Sequence, residues 1–133
     1  MANEATIITL LGNQGDPVEY TVATGTAIPK GSIMEFGSSP QTVVISTADG
    51  KFFAGIAATE KTATDGVVKM ACITHCVAEC KNSASGTLGQ PQKISGVNTI
   101  ADADSDTIAT AGEVVGIGLE TTITGTQAVL INR

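Results

Sequence analysis

Three cysteines and the one histidine of the sequence fall within nine positions: Cys72, His75, Cys76 and Cys80. Thiolate and imidazole are zinc ligands, and a Cys beside a His is the raw material of a nucleophile–base pair. The spacing argues against both. A catalytic pair needs side chains that meet and a third group that orients the base. His75 and Cys76 are chain neighbours, which on a strand point to opposite faces. Structural zinc sites join two ligand clusters from separate knuckles, and a single short run does not bring four ligands to one tetrahedral centre. The residues read instead as three small hydrophobes on a buried face. A disulfide framework would spread an even number of cysteines along the chain.

A second constellation is acidic. Asp102, Asp104, Asp106 and Glu113 occupy positions 1, 3, 5 and 12 of a calcium-loop pattern. Thr107 stands where that loop carries its turn-making Gly, and the flanking segments read as strands rather than helices. Asp is common in turns for its own reasons, so a solvated acidic loop is the default and calcium stays open. The glycines between Gly112 and Gly118 lack the Lys-Ser/Thr of a phosphate loop and the Gly-x-Gly-x-x-Gly fingerprint. The aromatic residues are Tyr20, Phe36, Phe52 and Phe53. Four rings are too few for a base-stacking or sugar-stacking platform. No catalytic, cofactor or metal site is therefore assigned, and the chain is not read as an enzyme.

Charge narrows the partners. The net charge is −6 with seven Lys and Arg spread along the chain, which gives no basic patch for nucleic acid and no attraction to anionic membranes. No apolar run approaches the ~18 residues of a membrane helix, and the first residues lack the pattern of a secretory signal. The expectation is a soluble domain folding in a cytoplasm. The 133 residues suffice for one domain with its own core.

Thr, Ala and Gly dominate the composition, which suits short strands and turns. Candidate strands are residues 6–11, 18–24, 32–36, 42–47, 52–58, 67–80, 92–95, 114–120 and 128–132. Between them stand breakers at 12–17, 48–51, 64–66 and 124–126. Asp49-Gly50 and Asp65-Gly66 read as hairpin turns, because both central positions tolerate positive φ. In 67–80 the even positions are apolar or small and Lys69, His75 and Glu79 are odd. That alternation predicts one long strand, bent or broken by a bulge, although the cysteine spacing also fits a helical face. The fold class is all-β, a small barrel or sandwich with little helix.

The sequence also echoes itself at an offset of about 60 residues. Gly31-Ser32-Ile33-Met34 answers to Gly89-Gln90-Pro91-Gln92-Lys93-Ile94, and Gly55-Ile56-Ala57 to Gly116-Ile117-Gly118. A Thr-rich connection and an apolar strand follow each. Two pseudo-repeated halves of one barrel or sandwich are expected.

The order of these motifs resembles the small capsid decoration proteins of tailed phages. The residues that carry the likeness are Ile28-Pro29-Lys30-Gly31-Ser32-Ile33-Met34, Gly50-Lys51-Phe52-Phe53-Ala54-Gly55-Ile56-Ala57 and the strand at 67–80. They continue with Gly89-Gln90-Pro91, Ala111-Gly112-Glu113-Val114-Val115-Gly116-Ile117-Gly118-Leu119-Glu120 and the ending Ala128-Val129-Leu130-Ile131-Asn132-Arg133. The likeness covers 27–133, the β-rich decoration domain. It leaves 1–26 as an N-terminal arm or strand pair.

The resemblance implies a cement protein on the outer surface of a mature icosahedral capsid. Its partner would be the major capsid protein. It would act as a homotrimer at three-fold and quasi-three-fold sites, with no cofactor, no nucleic acid and no membrane. The extended segment Ala5, Thr6, Ile7, Ile8, Thr9 and Leu10 is the candidate capsid contact, able to add a strand to a capsid loop. The competing reading is a β-rich attachment module of a virion that holds a host receptor or glycan.

Overall fold

The computed structural model describes residues 3–10, 17–104 and 111–132. Among them run β1 (Thr6–Leu10), β2 (Val18–Thr21), β3 (Ile33–Phe36), β4 (Val43–Ile45), β5 (Phe53–Ala57) and β6 (Lys69–Ile73). Then come β7 (His75–Gly86), β8 (Pro91–Gly96), β9 (Thr99–Asp102), β10 (Val114–Gly118) and β11 (Thr122–Asn132). One 3-10 turn, Ala111–Glu113, is the only helical element among the described residues. The all-β fold with little helix is as expected.

The strands form two units of one topology. In the second half β7, β11, β10, β8 and β9 are neighbours in that order, and a parallel β7–β9 pairing closes them into a five-stranded barrel. In the first half the order is β2, β6, β5, β3, β4. Its two ends also meet in parallel, at the Thr21–Thr42 bridge, where Thr21 N–H donates to Gln41 O at 2.8 Å. Each position in one order thus has its counterpart in the other.

The backbone bonds repeat with the strands. Gly31 N–H donates to Ala57 O at 2.9 Å, and Gly89 N–H to Gly118 O at 2.8 Å. Ala57 N–H to Ser32 O answers to Gly118 N–H to Gln90 O, and Ala58 N–H to Ala71 O answers to Leu119 N–H to Ala128 O. Ser46 N–H to Ile33 O answers to Ala103 N–H to Pro91 O. Gly31 and Gly89 share a positive φ (87° and 82°), as do Gln41 and Asn98 ahead of β4 and β9 (55° and 53°). The expected repeat is therefore real: the second half closes into the five-stranded barrel, and the first half supplies a second sheet with the same strand order.

Two cores follow. Val22, Ile28, Met34, Val43, Ala54, Ala57, Met70 and Cys72 fill the first half. The second core holds Cys76, Ala78, Cys80, Ile94, Ile100, Val115, Val129 and Ile131, joined from the first half by Ile33, Phe53 and Ile56. Those three come from the opposite face of β3 and β5 to Met34 and Ala54, so the first half seals one side of the second barrel. Polar links fix the joint. Ile33 N–H donates to Asn98 Oδ1 at 2.8 Å, Asn98 N–H to Ser46 Oγ at 2.8 Å, and Lys93 pairs with both Asp49 and Asp104.

The long strand expected over 67–80 is two strands, broken at Thr74, and they serve different sheets. The even-numbered face is buried on both sides of the break, at Met70, Cys72, Cys76, Ala78 and Cys80. Alternation therefore survives while the chain crosses between halves. The hairpin expected at Asp49-Gly50 is also corrected. That turn joins β4 to β5, which lie on either side of β3 and do not pair. Asp65-Gly66 does lie between paired strands, β5 and β6. The breaker expected at 124–126 is a bulge inside β11, where the register shifts between Ile123 and Gly125.

Candidate functional site

Of the segment expected to touch the capsid, Thr6–Leu10 forms β1, the outermost strand of its sheet. It pairs antiparallel with β7 (Thr6 with Glu79, Ile7 with Ala78, Thr9 with Val77, Leu10 with Cys76), and the register slips between Ile7 and Thr9. Ile8 is the extra residue, and a bulge of this kind twists an edge strand and re-aims its side chain. Ala5 is buried, Ile7 packs against the second core, and Ile8 is 52% exposed. β2, the other strand within 1–26, pairs with β6, not with β1.

A cavity of about 670 Å³ runs beside β1, lined by Ala5, Thr6, Ile7 and Ile8 on one side and Lys30, Gly31, Ala58 and Ile73 on the other. Successive residues of a strand face opposite ways. Three of the four lie in β1, where the bulge at Ile8 interrupts that alternation, and Ala5 precedes the strand. Ala5 N–H donates to Gly31 O at 2.6 Å. Gly31 is required here: a Cβ would stand 2.2 Å from Ala5 O, and its φ is +87°. The far wall comes from three segments distant in sequence, which is why Lys30, Ala58 and Ile73 carry no signal that could be read from their neighbours.

The other candidate residues are dispersed. Cys72 lies in the first core and Cys76 and Cys80 in the second, all three as free thiols. His75, at the start of β7, is half-buried and pairs across the sheet with Asn132. Burial pushes the thiols up to about 12 at Cys72, about 11 at Cys76 and about 12 at Cys80. Thiolate is the reactive form, so an alkylating reagent at neutral pH should leave the folded protein unmodified and label three thiols after denaturation. Fast labelling without denaturant would contradict this burial. The neutral thiol is favoured by folding. Stability should accordingly be full below pH 9, the ordinary thiol value, and fall as pH rises toward 11.

Of the acidic set, Asp106 lies outside the described residues and Glu113 sits in the 3-10 turn. Asp104 pairs with Lys93. Asp102 accepts from Thr87 N–H (2.9 Å), Thr87 Oγ1 (2.7 Å) and Gln92 Nε2 (2.8 Å). Burial alone would raise its pKa, but the bonds from Gln92 and Thr87 outweigh that and hold it below the usual carboxylate value. Both carboxylates are engaged by the chain itself. Among the described residues no three His, Cys, Asp or Glu side chains gather as a metal centre would require.

The duplicated barrel with its added edge strand is the arrangement to compare with known structures. The chain is similar to the N base of head fiber gp8.5 in bacteriophage phi29. The TM-score is 0.58 at 13% identity, over 86% of this chain and 93% of that one. At that identity the likeness is one of fold. No family model matches the chain, and no curated protein matches it by sequence.

Proposed function

We propose that this chain is a structural, non-catalytic protein of a phage virion that attaches to the outside of the capsid. The observation that carries the reading is the likeness of fold to a phage head-fiber base over nearly the whole of both chains. The motif order of 27–133 points independently to the decoration proteins of tailed phages. In the finer reading the partner is the major capsid protein, and the protein binds the mature shell as a homotrimer at three-fold and quasi-three-fold sites. Binding the mature lattice and not the disrupted one stabilises the shell by mass action, and many modest contacts sum over its surface. The groove along β1, with Ala5, Thr6, Ile7 and Ile8 on its near side, is the contact assigned to the shell, and Thr9 and Leu10 continue the same strand.

The test is co-sedimentation with mature and immature shells of its own virus that lack the protein. Saturable binding to mature shells, with a higher shell disruption temperature, is the expected result. Binding to neither shell would sink the reading. Binding without any gain in shell stability would leave an attached virion protein and remove the cement role.

A further inference from the structure

The groove beside β1 reverses the charge of the chain that builds it. The chain carries 13 Asp and Glu and a net charge of −6. Yet no carboxylate is among the residues that line the groove, and the one charged side chain there is Lys30. Ala5, Ile7, Ile8, Ala58 and Ile73 surround it with apolar surface, and Thr6 adds the one hydroxyl. Lys30 is exposed and forms no ion pair among the described residues. Glu4, next to Ala5 in the chain, does not answer it. Its Oε2 is enclosed and has no hydrogen-bond partner among the described residues.

Two other lysines show what the fold does with a cation it uses. Lys93 is held between Asp49 and Asp104. Lys61, itself buried, donates from Nζ to Thr24 O at 2.9 Å, Thr26 O at 2.7 Å and Thr62 O at 3.2 Å. Lys30 has neither kind of partner. A lone exposed lysine is ordinary, but this one stands in an otherwise apolar concave surface. Such a lining, with one polar group to fix orientation, is the usual form of a binding site. The size fits a short occupant. About 670 Å³ is within the ~300–1,000 Å³ of small-ligand clefts. The bulge at Ile8 points the same way, because a bulged edge resists the addition of a long continuous strand.

We infer that the groove receives a short apolar segment of the shell protein that carries an Asp or Glu, and that this carboxylate pairs with Lys30. The inference rests on the proposed attachment of this groove to the shell and names the chemistry of the partner. Apolar burial supplies attraction without direction, so Ile7, Ile8 and Ile73 alone would not fix how the segment lies. A single charge pair fixes its register. The surrounding surface then adds discrimination. A chain of net charge −6 repels an acidic segment that approaches anywhere else, which makes the groove with its unpaired lysine the favoured place for it.

The test uses the full chain and mature shells that lack it. Lys30→Glu and Lys51→Glu make the same change in net charge, both at exposed side chains, and Lys51 lies outside the groove. Both variants should melt like the parent. Lys30→Glu should bind shells about tenfold more weakly, and Lys51→Glu should bind as the parent does. A water-soluble carbodiimide activates a carboxylate for attack by an adjacent amine, and a urea leaves as the amide forms. On shells carrying the parent it should join Lys30 Nζ to an Asp or Glu of the shell protein, read by mass spectrometry of the digest. Equal binding by the two lysine variants, with no such cross-link, would overturn the carboxylate partner. Ile8→Ser then separates the two proposals: weaker binding by that variant keeps the groove as the shell contact, and unchanged binding removes it as well. A cross-link from Lys30 to a second copy of this chain would overturn the assignment to the shell protein. If the parent binds no shell, both proposals fall.

Discussion

Gly31→Ala should lower the free energy of unfolding by about 3 kcal/mol, and Gly89→Ala by only about 1 to 2 kcal/mol. Both positions have a left-handed backbone, φ +87° and +82°, where an L side chain costs about 1–2 kcal/mol. They differ in surroundings. A Cβ on Gly31 would stand 2.2 Å from Ala5 O, a backbone atom, while one on Gly89 meets nothing within 4 Å. Forcing β1 away from that contact adds an overpacking cost of about 1–3 kcal/mol. Because the two glycines are equivalent in the repeat, the difference between their denaturation curves isolates the contact between the N-terminal segment and the first half. Amide exchange along β1 should also quicken in Gly31→Ala and not in Gly89→Ala. Equal losses for the two variants would mean that the Ala5–Gly31 contact contributes nothing to stability.

The same contact shows where sequence reading stops. Alternation over 67–80 correctly placed Met70, Cys72, Cys76, Ala78 and Cys80 on a buried face. Nothing in it showed that Thr74 hands the chain from one sheet to the other, because the register of buried residues is unbroken across the change. The repeat was legible at Gly31 and Gly89 because a tight backbone approach or a positive φ demands glycine. The hairpin reading of Asp49-Gly50 failed for a related reason. Gly50 does take a positive φ of 80°, but a turn residue reports local conformation and not which strands pair beyond it. The groove along β1 was half legible. Its near side is one continuous β-rich segment, whereas its far wall is assembled by topology from residues 30–31, 58 and 73. β9 and the second half of β7 were missed outright. β9 holds one fully buried apolar residue, Ile100, and beyond Cys80 the strand β7 is made of small and polar residues.

Those polar residues have a structural use that hydrophobic periodicity cannot reveal. Asn82, Gln92 and Gln127 are fully buried in the second barrel, which the first half seals elsewhere with Ile33, Phe53 and Ile56. Asn82 Nδ2 donates to Gln127 Oε1 at 3.0 Å and to Gln92 Oε1 at 3.3 Å. Gln127 Nε2 goes on to Glu120 O at 2.8 Å, and Gln92 Nε2 to Gln90 O and Asp102 Oδ1. Gly86 and Gly118 make room, since a Cβ on either would stand 2.4 Å from an atom of the Gln127 amide. This network sets the energetics of Asn82→Leu.

The leucine fills the volume but strands two amide oxygens. Neither glutamine can turn its amide to compensate without giving up the bonds its nitrogen already makes. A buried unsatisfied group costs about 1–3 kcal/mol, so Asn82→Leu should lose about 3 kcal/mol. The companion variant replaces all three members at once: Asn82→Leu with Gln92→Met and Gln127→Met. Removing both partners of a buried hydrogen bond is far cheaper than removing one. The triple variant should therefore regain more than half of the loss, as measured by urea denaturation. Stability should also depend less on acid in the triple variant. Asp102 titrates below its usual 3.8, so its bond from Gln92 stabilises the fold above that pH and is lost as pH falls through the depressed value. A triple variant less stable than Asn82→Leu alone would show that these amides act through shape and not through their mutual hydrogen bonds.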